Sequence, residues 1–348
     1  MEINGTTAND VWQKAYLALQ DNPAARQQQS RTGLTMELMR AMLSIEEPRE
    51  RWIVRRVPGI NPAFALAEVI WIVTGRDDAQ FLNHWNAQLP KYAGTDDCYH
   101  GAYGHRLRRK FNFDQLERAF STLNNNPESR QVVLQIWDAQ SDFPMKDGQP
   151  VAQDIPCNTH AYLKVRDGKL EWTQMMRSND VMRGLPYNVI QFTSLQEILA
   201  GWLNLEVGTY GHYSDSLHLY EADADDFSLN DNDGVETYPN TDDLRLSKSV
   251  SDQCFATLGQ AIDTIVFNRC SQPELLEIVQ EAGLPTAYQH WLYIIGAEES
   301  RRQNWAEIQK TLIQRISNPA LQQVWRQWEM RFRQPQVTSS RIGVNRND

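Results

Sequence analysis

The chain of 348 residues holds only four cysteines, Cys98, Cys157, Cys254 and Cys270, and no two of them form a CxxC pair. Such wide, irregular spacing argues against a disulfide framework or a structural zinc site, so no metal is expected. No apolar run approaches the roughly 18 residues that a membrane helix needs, so no membrane span is expected. The opening stretch, MEINGTTANDVWQKAY, lacks the basic start and apolar core of a signal peptide. Positive charge is also in deficit: 34 Lys and Arg stand against 44 Asp and Glu, a formal net charge of −10. That balance weighs against a nucleic-acid polymer or an anionic membrane as partner, while leaving room for a small basic pocket. A reducing, cytoplasmic setting is the expectation. No internal repeat is visible.

What is present is ordinary for a globular chain, with 41% hydrophobic and 22% charged residues. Helices are predicted over 10–21 and 34–47, joined by the polar connector QQQSRTG at 27–33. Asn61-Pro62 reads as an N-cap followed by proline in the first turn. The helix it opens, 63–73, is apolar except for Glu68. A helix over roughly 113–124 closes at Asn-Asn-Asn-Pro, and RQVVLQIWD (130–138) has the β-branched and aromatic content of a buried strand. In HAYLKVRDGKLEWTQMM two alternating runs flank Asp167-Gly168, the pair that a tight hairpin turn prefers. A helix follows over 189–204.

Residues 221–243 contain nine acidic side chains and no Lys or Arg, which predicts a solvated loop. DNDG at 231–234 fails as a calcium loop, because the first and twelfth positions would be Leu229 and Asn240. From 254 to 333 the pattern is amphipathic and helical, with Trp291, Trp305, Trp325 and Trp328. From Pro335 a polar tail, predicted to be disordered, ends in Asp348. Strands in the middle and helices at both ends predict an α+β protein.

The chemistry concentrates between Pro156-Cys157 and Tyr220: PC at 156–157, RSND at 177–180, GLPYN at 184–188 and HLY at 218–220. Each element has a plain structural reading when taken alone. Cys157 after proline would be a buried thiol, or with His160 half of a metal site that has no second pair. Arg177 would be a strand-end surface residue and Asn188 a helix cap. His218 and Tyr220, at i and i+2 on a strand, would share one half-buried face.

Taken together, in order and in register, these four elements resemble the thymidylate synthase family, which includes the pyrimidine nucleotide hydroxymethylases. The resemblance implies that family's mixed sheet packed with helices over residues 1–250, followed here by a helical C-terminal extension over 251–334 and a tail over 335–348. It further implies a cytoplasmic homodimer that binds a pyrimidine nucleoside monophosphate and uses 5,10-methylenetetrahydrofolate as cosubstrate. Cys157 would add to C6 of the pyrimidine so that C5 becomes nucleophilic, a step suited to a thiolate because it adds to a conjugated carbonyl and leaves again. A free thiol ionises near pH 8.5, so a neighbouring cation helps. By resemblance Arg177 approaches Cys157 and grips the nucleotide phosphate together with Ser178, and Arg31 and Arg130 add phosphate contacts. Arg130 would reach across the dimer interface. Asn188 would read uracil through O4 and N3–H, where aspartate suits cytosine. His218 and Tyr220 would hold the sugar 3′-hydroxyl, and Asp180 the folate. Glu68 would relay protons, its pKa raised by burial, and Tyr103 in HGAYG would assist loss of the C5 proton.

Three departures from that pattern stand out. The expected pair of adjacent arginines is Arg130-Gln131 here. Cys157 is followed by Asn-Thr-His rather than His. The tryptophan-containing segment over the site is replaced by QLPKYAG (88–94), and Asp348 replaces an apolar C-terminal carboxylate. The last change touches parts that exclude water and orient the folate, which decides whether hydride gives a methyl group or water gives hydroxymethyl. The presence of Asn188 makes methylation of dUMP the first expectation and hydroxymethylation of a pyrimidine nucleotide the second. A nucleotide-binding relative without folate chemistry is the alternative from another class. Retention of Cys157, Glu68 and Tyr103 together argues against it.

Overall fold

A computed structural model describes residues 1–30, 33–223, 226–230 and 236–333. Arg31, the DNDG run and the tail from Pro335 lie outside the described residues.

A single mixed sheet organises the chain. Its path runs β1 (Glu2–Gly5), β3 (Gly33–Ile45), β9 (Glu206–Tyr220), β7 (Lys169–Met176), β6 (Asn158–Arg166) and β5 (Val133–Gln135). To this path β2 (Arg26–Ser30) adds on β3 and β8 (Asn179–Asp180) on β9. The pairs β1/β3, β7/β9 and β8/β9 are parallel; β2/β3, β3/β9, β5/β6 and β6/β7 are antiparallel. A small separate ribbon pairs β4 (Arg56–Val57) with β10 (Ser228–Leu229).

The β6–β7 hairpin turns at the predicted pair, with Asp167 at φ 49° and Gly168 at φ 74°. Both are in the left-handed region that Asp and Gly tolerate best. Helix α1 (Ala8–Asp21) forms where predicted and is opened by a Thr7–Asp10 capping box. Helix α2 (Pro62–Val73) has the predicted cap: Asn61 Oδ1 accepts from Phe64 N at 3.1 Å. Helix α3 (Gln115–Asn125) also stands as read.

Residues 34–47 are not a helix. Residues 34–45 belong to β3, whose buried positions fall at Thr35, Leu38 and Ala41 and then at Leu43 and Ile45. The first three mimic helical spacing; Arg40 at φ 57° accounts for the step from Leu38 to Ala41, after which 41–45 alternate. Leu, Met, Glu and Ala favour a helix here, but pairing with β9 on one side and with β1 and β2 on the other overrides propensity. The connector at 27–33 is for the same reason largely strand β2.

Helix α4 (Leu185–Trp202) is buried on nearly every side, lying between β7 and β9 and helix α2. Helix α2 is covered in turn by the C-terminal helices α5 (Lys248–Asn268), α6 (Thr286–Arg302) and α7 (Pro319–Arg333). Trp291, Trp325 and Trp328 enter the same apolar core as the sheet. Position 250 falls in the first turn of α5. The acidic stretch is less solvated than its charge predicts. Asp223 is buried against Arg183, and Asp242 accepts from Asn318 Nδ2 at 2.7 Å and faces His290 Nδ1 at 2.7 Å. Among the described residues no helix is long and apolar enough to cross a membrane.

Candidate active site

The start of β6, the end of β7, strand β8 and the end of β9 meet at one end of the sheet and carry most of the candidate residues. Arg177 ends the hairpin strand opposite Cys157: its backbone N–H donates to Cys157 O at 2.9 Å. Its guanidinium donates to Pro156 O at 3.0 Å and Ile155 O at 3.1 Å, and Nη2 stands 3.9 Å from Cys157 Sγ. The same guanidinium lies 5.7 Å from the Trp137 ring centroid. A cation held this way is placed to stabilise a thiolate and remains exposed to an incoming anion. Ser178, next along, is half-buried.

Glu68 projects from the middle of α2 toward Gln191 on α4. Its Oε2 is shielded from solvent and has no hydrogen-bond partner among the described residues. Burial is the main reason its pKa is raised, to about 8, with the Gln191 hydrogen bond opposing. Tyr103 hydrogen-bonds Asn158, and its hydroxyl pKa is pushed well up, first by burial and then by the Cys157, Asp154 and Glu68 charges. The Tyr103 hydroxyl therefore lies within electrostatic reach of both the Cys157 thiol and the Glu68 carboxyl.

The close approach of the Tyr103 segment to α2 depends on Gly104. A Cβ there would lie 2.6 Å from Ile72 O and 2.8 Å from Trp71 O, both backbone atoms that cannot swing aside. Gly104→Ala is expected to lower stability by about 1–3 kcal/mol or more, read by thermal melting, and to reduce turnover further by moving Tyr103 away from Glu68.

Asn188 is 7% exposed and sits one turn inside α4, whose cap position is Gly184. Capping therefore does not explain it. Its Nδ2 donates to Asn179 Oδ1 at 3.3 Å, and its Oδ1 accepts from Asn158 Nδ2 at 3.5 Å. Asp180 Oδ1 accepts from Met182 N at 2.7 Å and Arg183 N at 2.8 Å. Its Oδ2 is shielded and without a partner among the described residues, and burial raises its pKa to about 6. The His218 and Tyr220 rings meet edge to face, 5.2 Å between centroids, as their shared strand face predicts. Burial lowers the His218 pKa, favouring neutral imidazole. Arg130 is exposed beside the 126–129 turn and makes no ion pair among the described residues. The 88–94 segment carries a short helix, Leu89–Ala93, whose Tyr92 hydroxyl contacts Arg183. Among the described residues no cluster of His, Cys, Asp or Glu is arranged to hold a metal ion.

Four residues given no role from the sequence, Asn158, Gln174, Asn179 and His212, are buried and join Asn188 in one hydrogen-bonded network. The Asn-Thr-His departure after Cys157 takes the form of a β-bulge. Asn158 pairs with Met176 and His160 with Met175, so Asn158 turns inward although β6 otherwise buries its odd-numbered positions.

The fold and these residues define a mixed-sheet α+β protein with a cysteine and an arginine beside a buried network of polar side chains. The chain belongs to the thymidylate synthase family: the family model described as thymidylate synthase matches residues 20–256. It is 33% identical over 198 residues to the deoxyuridylate hydroxymethyltransferase of Pseudomonas phage M6, covering 55% of each chain. Similarity to the protein of the same name from Bacillus phage SP01 is also 33% over 198 residues, covering 54% of this chain and 51% of the relative. To the thymidylate synthase of Clostridium beijerinckii it is 28% identical over 167 residues, 47% of this chain and 60% of the relative. The chain spans about half the length of the phage relatives it matches.

Proposed function

We propose that the protein transfers a one-carbon unit to C5 of a uracil nucleotide, dUMP, through a covalent adduct on Cys157. The observation that supports this reading is the grouping of Cys157 Sγ, 3.9 Å from the Arg177 guanidinium, with Tyr103, which feels the Cys157 and Glu68 charges and connects through Asn158 to Asn188. Arg177 and Ser178 hold the phosphate, joined by Arg31 and by Arg130 from a second copy. His218 and Tyr220 take the sugar hydroxyl. Asn188 retains one N–H and one lone pair for O4 and N3–H of the base. Cys157 adds at C6, Glu68 exchanges protons with the base, and Tyr103 assists loss of the proton from C5.

Methylenetetrahydrofolate supplies the one-carbon unit when bound, and the unpartnered Asp180 Oδ2 fits the donor that such a ligand brings to this position. A homodimer is part of the proposal. The outward parity of the sheet presents Met42, Tyr213, Met175, Tyr162 and Val133, the last two 41% and 47% exposed, a surface suited to a second sheet. Residues 1–250 form the catalytic unit in this reading, with 251–334 as an extension that buttresses α2.

A second ending of the reaction is favoured by two observations: the phage relatives are named hydroxymethyltransferases, and the 88–94 segment offers a half-exposed Tyr92. Tritium release from [5-³H]dUMP with methylenetetrahydrofolate tests the shared chemistry. Absorbance gain from dihydrofolate marks methylation, and release without it marks hydroxymethylation. No release from dUMP or dCMP, with nucleotide still bound, would leave a binding protein. Asn188→Asp is expected to reverse the base preference, lowering dUMP against dCMP by about 10²-fold in kcat/KM.

A further inference from the structure

Asn188 is one member of a buried chain of hydrogen bonds whose direction can be followed from end to end. The Trp172 indole can only donate, and Nε1 gives its proton to Gln174 Oε1 at 3.1 Å. Gln174 Nε2 then donates to Asn158 Oδ1 at 2.9 Å. Asn158 turns Nδ2 toward Asn188 Oδ1 at 3.5 Å, and Asn188 Nδ2 donates to Asn179 Oδ1 at 3.3 Å. Asn179 Nδ2 donates to His212 Nε2 at 2.8 Å, while His212 Nδ1 stands 2.9 Å from the Tyr210 hydroxyl. Burial pushes the His212 pKa down to about 3, which favours neutral imidazole, and because Asn179 Nδ2 can only donate, Nε2 is the acceptor and Nδ1 carries the proton.

We propose that Gln174, held by Trp172, is a specificity-positioning residue that fixes through Asn158 which way the Asn188 amide faces, and so selects uracil over cytosine. The inference rests on Asn188 as the base-reading residue. Each of its two amide atoms spends one valence inside the chain and keeps one for ligand. Uracil offers a donor at N3 and an acceptor at O4; cytosine offers an acceptor at N3 and a donor at N4. An amide rotated by half a turn exchanges donor for acceptor and fits cytosine. An isolated asparagine would rotate freely. Here rotation sets Asn188 N–H against Asn158 N–H, and relieving that clash by reversing the whole chain ends at an indole that cannot accept.

Gln174→Met and Trp172→Phe each break the chain while keeping apolar bulk. With the full-length protein, calorimetric titration of dUMP, dCMP and 2-deoxyribose 5-phosphate separates base reading from phosphate and sugar binding. The preference for dUMP over dCMP is expected to fall about tenfold in either variant, with 2-deoxyribose 5-phosphate affinity within about twofold of the parent. Neither substitution should move the ratio further in an Asn188→Asp background. An unchanged preference in a variant that still binds 2-deoxyribose 5-phosphate, beside an Asn188→Asp protein whose preference does shift, overturns the relay. If Asn188→Asp leaves the preference unmoved, the reading of Asn188 fails instead. Should one variant not fold, the other decides.

Discussion

Cys157→Ser is expected to lower tritium release from [5-³H]dUMP by about 10⁴-fold or more, while dUMP affinity changes no more than a few-fold. A hydroxyl at this position adds poorly to a conjugated carbonyl and is not ionised near neutral pH, so the step that activates C5 is lost. Binding should survive because the phosphate, sugar and base contacts of the proposed complex come from other residues. The Arg177 guanidinium is fixed by Pro156 O and Ile155 O as well as by its approach to sulfur. Its position therefore does not depend on the thiol. Mass spectrometry of the quenched protein gives the second readout, a nucleotide adduct on the parent and none on the serine variant. Substantial release from the serine variant would remove Cys157 from the reaction.

How much of this was legible in the residues differs between fold and site. The hairpin at Asp167-Gly168 and the Asn61 cap were readable because each rests on local chemistry that no neighbour overrides. Strand β3 was not, because its composition favours helix and its period is broken at Arg40. Only its pairing partners, far away in sequence, decide the matter. The site residues carrying motifs were placed by register over more than sixty positions, yet the amides behind them were missed. A signal for them did exist. Along β7 the inward positions are Leu170, Trp172, Gln174 and Met176, and Gln174 is the lone polar residue in that buried column. A polar side chain at inward parity must be satisfied by something. Asn158 could not be found in the same way, since a bulge reverses its parity. The acidic stretch misled for a related reason: charge counts do not reveal that Asp223 and Asp242 meet Arg183 and His290 from distant segments.

Glu68→Gln is expected to lower kcat by about 10²- to 10⁴-fold, with the KM for dUMP within a few-fold, because glutamine keeps the shape and hydrogen-bonding capacity but cannot exchange a proton. The same substitution has a stability signature that identifies the ionisation itself. The Glu68 pKa rises from 4.5 in the unfolded chain to about 8 in the fold, mainly because burial penalises the carboxylate. Between those two values the native state holds a proton that the unfolded chain has released. Stability contributed by the neutral carboxyl is then complete below about pH 4.5 and is lost as pH rises through about 8, at a slope of up to about 1.4 kcal/mol per pH unit. Glutamine does not titrate. The stability of the Gln variant relative to the parent should thus climb from about pH 5 to about pH 8 and level off above, in denaturant melts at matched ionic strength. A difference that stays flat across that window would mean that Glu68 ionises as it would in water, and a proton relay through a neutral carboxyl at physiological pH would lose its physical basis.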